Sequence, residues 1–236
     1  MKNKLALYSA LLLTVGGTLV EGISGYATEA NQDQTTATVK FVAGDDSTNP
    51  LDPNTPDNEE DRDNPTDKED AENRGTGETG PLTIDYISNV EFGEQKIAGT
   101  QKVYNARNIK PRIQVTDNRG TGEGWAITAA ATPFTGKDVN NQEVILKGAQ
   151  LSFKNGNTKT QTFNTSKAPV ASDITFNNTD AQLILNATKE TGQGTWLDVF
   201  ENAADDITLS VPGGVAQNGV TYQARINWTI SDAPQA

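Results

Sequence analysis

Between Tyr222 and Ile230 the side chains alternate: Tyr222, Ala224, Ile226, Trp228 and Ile230 fall on one side of an extended strand, and Gln223, Arg225, Asn227 and Thr229 on the other. A helix cannot keep such a period of two on one face, so the segment is read as a strand with one side buried and one side wet. Pro234 ends it, because proline has no N–H for the ladder. From Pro81 onward the same texture recurs in shorter runs, with Leu82, Ile84 and Tyr86 on one face of the first and Ile113 and Val115 on one face of another. Further runs cover 151–153, 183–185 and 207–211, separated by breakers such as Lys154-Asn155-Gly156-Asn157 and Pro212-Gly213-Gly214. No window of helical length keeps an apolar 3.6 period. Trp196, Val199 and Phe200 have offsets that suit a single turn, but the glycines ahead of them favour a strand. The expected fold class is all-β, an antiparallel β-sandwich-like domain over residues 81–236.

Such a domain must be held by its core, because the chain has no cysteine to cross-link it. Histidine is absent too, and the two absences remove Ser-His-Asp and Cys-His nucleophile systems, imidazole metal sites and thiolate zinc sites. A pair of carboxylates acting on a glycan is the main hydrolytic chemistry left. Asp198, Glu201, Asp205 and Asp206 cluster in sequence, yet an acidic cluster beside a strand reads first as a solvated loop. The expectation is a protein that is not an enzyme, with no cofactor and no metal site.

The formal charge of -12 is unevenly spread: residues 1–80 carry 6 Lys and Arg against 16 Asp and Glu, and the remainder 13 against 15. The acidity therefore belongs to the N-terminal part, and the β domain is close to neutral. Residues 45–72 contain almost no apolar side chain beyond Leu51 and Ala71, so ordering them would cost backbone entropy that apolar burial could not offset. Residues 28–80 are expected to be a short alternating segment, Thr38-Val39-Lys40-Phe41-Val42, followed by a disordered acidic linker with a reach on the order of 35 Å. The Asp-x-Asp-x-Asp-Gly spacing of a calcium loop is missing from it. At the start, Lys2 and Lys4, an apolar run from Leu5 to Val20 and Gly25-Tyr26-Ala27 have the grammar of an export signal, so residues 1–27 are expected to be cleaved after secretion. No sorting motif or hydrophobic tail is read at the C-terminus, and nucleic acid is not an expected partner.

Two motifs stand out. Arg119-Gly120-Thr121-Gly122-Glu123-Gly124 feeds a strand in which Trp125 and Ile127 share a face, and Trp228-Thr229-Ile230 repeats that pair in the last strand. The alternating glycines are not a phosphate cradle, because a strand rather than a helix N-terminus follows them. Trp125, Ile127, Trp228 and Ile230 are either sugar-stacking or other ligand-contacting residues or the core of two strands, and their apolar i,i+2 partners favour the core. Asp117-Asn118-Arg119 is either a ligand-facing turn or plain Asx and glycine turn chemistry, the latter favoured. Gly192-Gln193-Gly194-Thr195-Trp196-Leu197 weakly echoes the arrangement of glycines leading into tryptophan.

On these residues the chain resembles the WxL surface proteins of Gram-positive bacteria. The likeness is carried by Val115-Thr116-Asp117-Asn118-Arg119-Gly120 with Trp125-Ala126-Ile127, by Tyr222 through Pro234 around Trp228-Thr229-Ile230, and by Pro50-Leu51-Asp52-Pro53 and Gly80-Pro81-Leu82-Thr83-Ile84-Asp85. Both motifs have isoleucine where the family pattern has leucine. The resemblance implies a secreted protein at the cell wall, bound non-covalently to peptidoglycan. Other WxL-type proteins, a membrane-anchored partner and host extracellular matrix are the further partners it implies. The alternative is a structural subunit held at the surface by that membrane-anchored partner, without touching the wall itself.

Overall fold

The computed structural model describes residues 34–235, so the expected export signal lies outside the described residues. Residues 34–40 are exposed and without regular secondary structure, and from Phe41 the chain forms a separate unit. Its strands are β1 (Leu82–Ile87), β2 (Lys102–Asn105), β3 (Arg112–Asp117), β4 (Trp125–Ala131), β5 (Thr135–Lys137), β6 (Glu143–Ile145) and β7 (Gln150–Phe153). They continue with β8 (Asn157–Thr160), β9 (Val170–Ala171), β10 (Ile174–Phe176), β11 (Gln182–Ala187) and β12 (Gly194–Val199). A single helical turn, α1 (Ala203–Asp206), leads into β13 (Ile207–Val211), and β14 (Ile226–Ser231) ends the fold.

All pairings between these strands are antiparallel, as the alternation predicts. Three four-stranded sheets run β1-β3-β12-β8, β10-β7-β13-β2 and β14-β4-β11-β9, with β5 and β6 forming a hairpin of their own. One apolar core joins the three sheets through Ile84, Ile113 and Val115 of the first, Leu151, Phe153, Ile174 and Ile207 of the second, and Trp125, Ile127 and Leu185 of the third. Phe153 sits at its centre, edge-on to Phe176, Phe200 and Trp228 at ring separations of 6.2, 5.4 and 5.9 Å. Among the described residues, no helix is long and apolar enough to cross a membrane.

The acidic stretch differs from the expectation of a disordered linker. Residues 49–76 have little regular secondary structure, yet they lie as a strap across the outer face of the β1-β3-β12-β8 sheet. Leu51 is buried against Leu197 and Val199 in a small core of its own. The Gln114 side chain reads the strap as a neighbouring strand would: its Oε1 accepts the Leu51 N–H at 2.7 Å and its Nε2 donates to the Asn49 carbonyl at 3.0 Å. Glu60 pairs with the fully buried Arg112, whose guanidinium also lies 4.2 Å from the centre of the Tyr86 ring. Asp70 accepts from the Tyr86 hydroxyl and from Asn89, Asp67 accepts from Asn108, and Lys159 donates to the Pro53 carbonyl.

The reason is that the entropy of ordering these residues is offset by polar complementarity rather than by apolar area. Arg112, Gln114 and Thr116 alternate with Ile113 and Val115 and so read as a wet face, but all six residues of β3 are buried. Beneath the strap, Asp85 accepts from Thr83, Thr116 and Gln114 at 2.6, 2.7 and 3.1 Å. Burial pushes its carboxyl above the ordinary range against the pull of those three donors. The acidic residues of the strap are also spent locally, with Asp52, Asp61 and Asp67 accepting from backbone N–H groups two residues on.

Candidate functional site

The two Trp-x-Ile motifs lie on neighbouring strands. β14 pairs with β4 so that Ile230 faces Ile127, Trp228 faces Ala129 and Ser231 faces Ala126. All four motif residues therefore point to the same side of the sheet, into the core. Trp125 and Ile127 are completely buried, whereas Trp228 and Ile230 are half-buried because β14 is the edge of its sheet. Regular pairing of the last strand starts at Ile226 rather than Tyr222, and Gln223 instead bridges to Thr135 beside the β5–β6 hairpin.

The Asp117-Asn118-Arg119 turn forms a clamp. Arg119 grips the Asp117 carboxylate with two donors, Nε at 2.9 Å and Nη2 at 2.8 Å. The same guanidinium reaches the Gly124 carbonyl at 2.7 Å and the Asp232 carbonyl at 2.9 Å. It thus ties the start of the first motif strand to the residue that follows the second. Hydrogen bonding to the Asp117 carboxylate raises the Arg119 pKa further and keeps the group charged. Asn118 has an exposed side chain, and its backbone holds Pro81 on one side and Gly44 on the other.

The third tryptophan, which sequence reasoning noticed only as an echo, completes the arrangement. The Trp125 Nε1–H donates to the Gly192 carbonyl at 3.0 Å, and the Trp196 Nε1–H donates to the next carbonyl, that of Gln193, also at 3.0 Å. Two indoles thus pin consecutive peptide groups of the loop over residues 188–194. Gly192 has φ +72°, and a Cβ there would sit 2.8 Å from the Trp125 Nε1. The signal that could have found this is the glycine pair at 192 and 194 directly ahead of Trp196.

That loop forms one wall of an open cleft of about 500 Å³, lined by Asn164, Thr165, Ser166, Lys167, Glu190, Gln193 and Gly194. The opposite wall, residues 164–167, is tied across to it: Asn164 Nδ2 donates to the Gln193 carbonyl at 3.0 Å, Gln193 N–H to Ser166 Oγ at 3.0 Å, and Gly192 N–H to the Lys167 carbonyl at 2.8 Å. The Glu190 N–H donates to the Gly122 carbonyl at 2.8 Å, which joins the cleft to the glycine-rich turn ahead of Trp125.

The clustered carboxylates do not face one another across an open groove. Asp198 is fully buried on β12 beside Gly156, with neither oxygen hydrogen-bonded, and burial pushes its pKa up to about 7. Glu201 is paired with Lys110 and Lys159, and Asp206 accepts from the Asn202 N–H and from Asn155.

No curated protein and no solved structure matches the chain. A family model described as WxL domain surface cell wall-binding matches residues 28–234, a span that takes in the strap, the Arg119 clamp and both Trp-x-Ile strands. A match over that much of the sequence shows that this chain belongs to the WxL domain family of cell-wall-binding surface proteins.

Proposed function

We propose that this protein is secreted from a Gram-positive cell and attaches non-covalently to peptidoglycan through its β domain, without catalysing a reaction. In this reading it takes part in surface complexes with other WxL proteins and a membrane-anchored partner, and in adhesion to host matrix. The observation that carries it is the family match over residues 28–234, a family of wall-binding and not enzymatic domains. The buried Asp198 and the lysine-paired Glu201 fit a role without acid–base chemistry on glycans. Purified protein spanning residues 28–236 should sediment with isolated peptidoglycan. Protein left wholly in the supernatant would overturn direct wall binding.

The second reading, attachment through a membrane-anchored partner, draws support from β14. Its outer edge has no strand beside it among the described residues, and an open edge is a template for an added strand. Co-purification of such a partner together with failure to sediment on bare peptidoglycan would favour this reading over the first.

A further inference from the structure

We propose that the cleft between residues 164–167 and 190–194 is a binding site for the peptide stems of the cell wall, short peptides that carry both a free carboxylate and a free amine. This deepens the wall-binding reading and rests on it for the source of the ligand, though the cleft's chemistry stands by itself.

Three observations converge. The frame of the cleft is built from groups already committed to one another: Asn164 spans to Thr160 Oγ1 and the Gln193 carbonyl, Ser166 accepts the Gln193 N–H, and the two indoles hold the Gly192 and Gln193 carbonyls from behind. Such cross-ties fix a pocket before a ligand arrives and reduce the ordering cost of binding. The side-chain heads of Lys167, Glu190, Thr165 and Gln193, by contrast, have no hydrogen-bond or ion-pair partner among the described residues. Lys167 and Glu190 line one cleft without pairing with each other, and neither is engaged elsewhere among the described residues.

An unpaired cation and an unpaired anion on one rigid frame match a ligand with the reverse order of charges: a carboxylate for Lys167 and an ammonium for Glu190. The Thr165 hydroxyl and the Gln193 amide supply the hydrogen-bonding that peptide groups require. A glycan strand fits less well. No aromatic side chain lines the cleft to stack on a sugar face, and two opposite charges would be left without use by neutral sugars. A volume of about 500 Å³ is of a size to take a short peptide.

The test titrates the folded protein with two probes, a soluble disaccharide-peptide wall fragment with its free stem termini and the same disaccharide stripped of the peptide. Binding is followed by NMR shifts of residues 164–167 and 188–194. The peptide-bearing fragment is expected to bind and the bare disaccharide not to. Lys167→Met and Glu190→Gln should each weaken binding about tenfold, the loss expected for one charged hydrogen bond. Both side chains are at the surface, so their spectra should otherwise match the wild type. Binding by either variant as tight as the wild type's, equal binding of the two probes, or shifts confined to other residues would each overturn the proposal. Sedimentation with whole peptidoglycan is run alongside. Wild-type protein that sediments but ignores the peptide fragment sinks the cleft and leaves wall binding standing. Protein that binds the fragment but does not sediment does the reverse.

Discussion

The Gln114 side chain holds Leu51 in place as though it were the next strand of the sheet, accepting its N–H at 2.7 Å. The same amide donates to Asn49 and to Asp85, so one glutamine joins the strap, the sheet and a buried carboxylate. Gln114→Leu should therefore cost about 2–3 kcal/mol, since it strands the buried Leu51 N–H and takes a donor from the Asn49 carbonyl and one of three from Asp85, while keeping volume. Thermal melts should fall accordingly, and limited proteolysis should begin within residues 49–76. An unchanged melt and an uncut strap would show that the strap is held elsewhere.

Glu60→Gln tests the buried ion pair. Arg112 has no exposed side-chain surface, and among the described residues its Nε and Nη1 have no hydrogen-bond partner and Glu60 is its one carboxylate partner. Removing that charge leaves a buried guanidinium uncompensated except by the Tyr86 ring, at a cost on the order of 3–5 kcal/mol. The double variant Glu60→Gln with Arg112→Met should recover much of the loss, and denaturant titration of the three variants checks it.

Trp125→Phe keeps an aromatic ring in the core and deletes the donor to the Gly192 carbonyl. The expected loss of stability is about 1–3 kcal/mol, with faster amide exchange localised to residues 188–194. Trp228 is only half-buried, at a sheet edge, so Trp228→Ala should cost about 2–3 kcal/mol, less than the usual penalty for a fully enclosed tryptophan. Loss of wall retention should track loss of fold in these variants. A Trp228→Ala protein that melts normally yet fails to sediment would make the motif a contact surface.

Acidity should favour the fold. Asp198, Asp85 and Asp67 are all shifted upward by burial, Asp198 to about 7 from an ordinary 3.8. A carboxyl whose folded pKa is raised contributes stability that is fully present below the unfolded value and is lost as pH rises through the folded one. Between about pH 4 and pH 7 stability should thus decline, by at most roughly 1.4 kcal/mol per pH unit for Asp198. Asp198→Asn should flatten that slope, and melting curves at several pH values in both proteins decide the matter. Identical slopes would remove Asp198 as the cause.

Much of the fold was legible because strands announce themselves by period. Runs at 82–86, 113–115, 151–153, 183–185 and 207–211 all fall within strands, and Trp196 and Val199, whose offsets also suited a turn, lie in β12 as the glycines ahead of them favoured. What failed to be legible was the strap, for a definite reason. Hydropathy registers apolar burial, whereas residues 49–76 are held by Gln114, Arg112, Tyr86 and Asn108, whose side chains sit on strands and loops far away in sequence. The cleft was hidden for the same cause, since Lys167 and Glu190 lie more than twenty residues apart and meet only through the pairing of the loops that carry them.

The strap also bears on how far from its anchorage the protein can act. Some thirty residues that might have served as a tether are laid flat on the sheet, between Asn49 and Thr76. Length that is folded into the body gives no freedom to swing, so a partner must come to the protein's own surface and cannot be fished for at the end of a leash. Cutting the strap's contacts, through Gln114 or Glu60, would lengthen the molecule and loosen it in the same stroke.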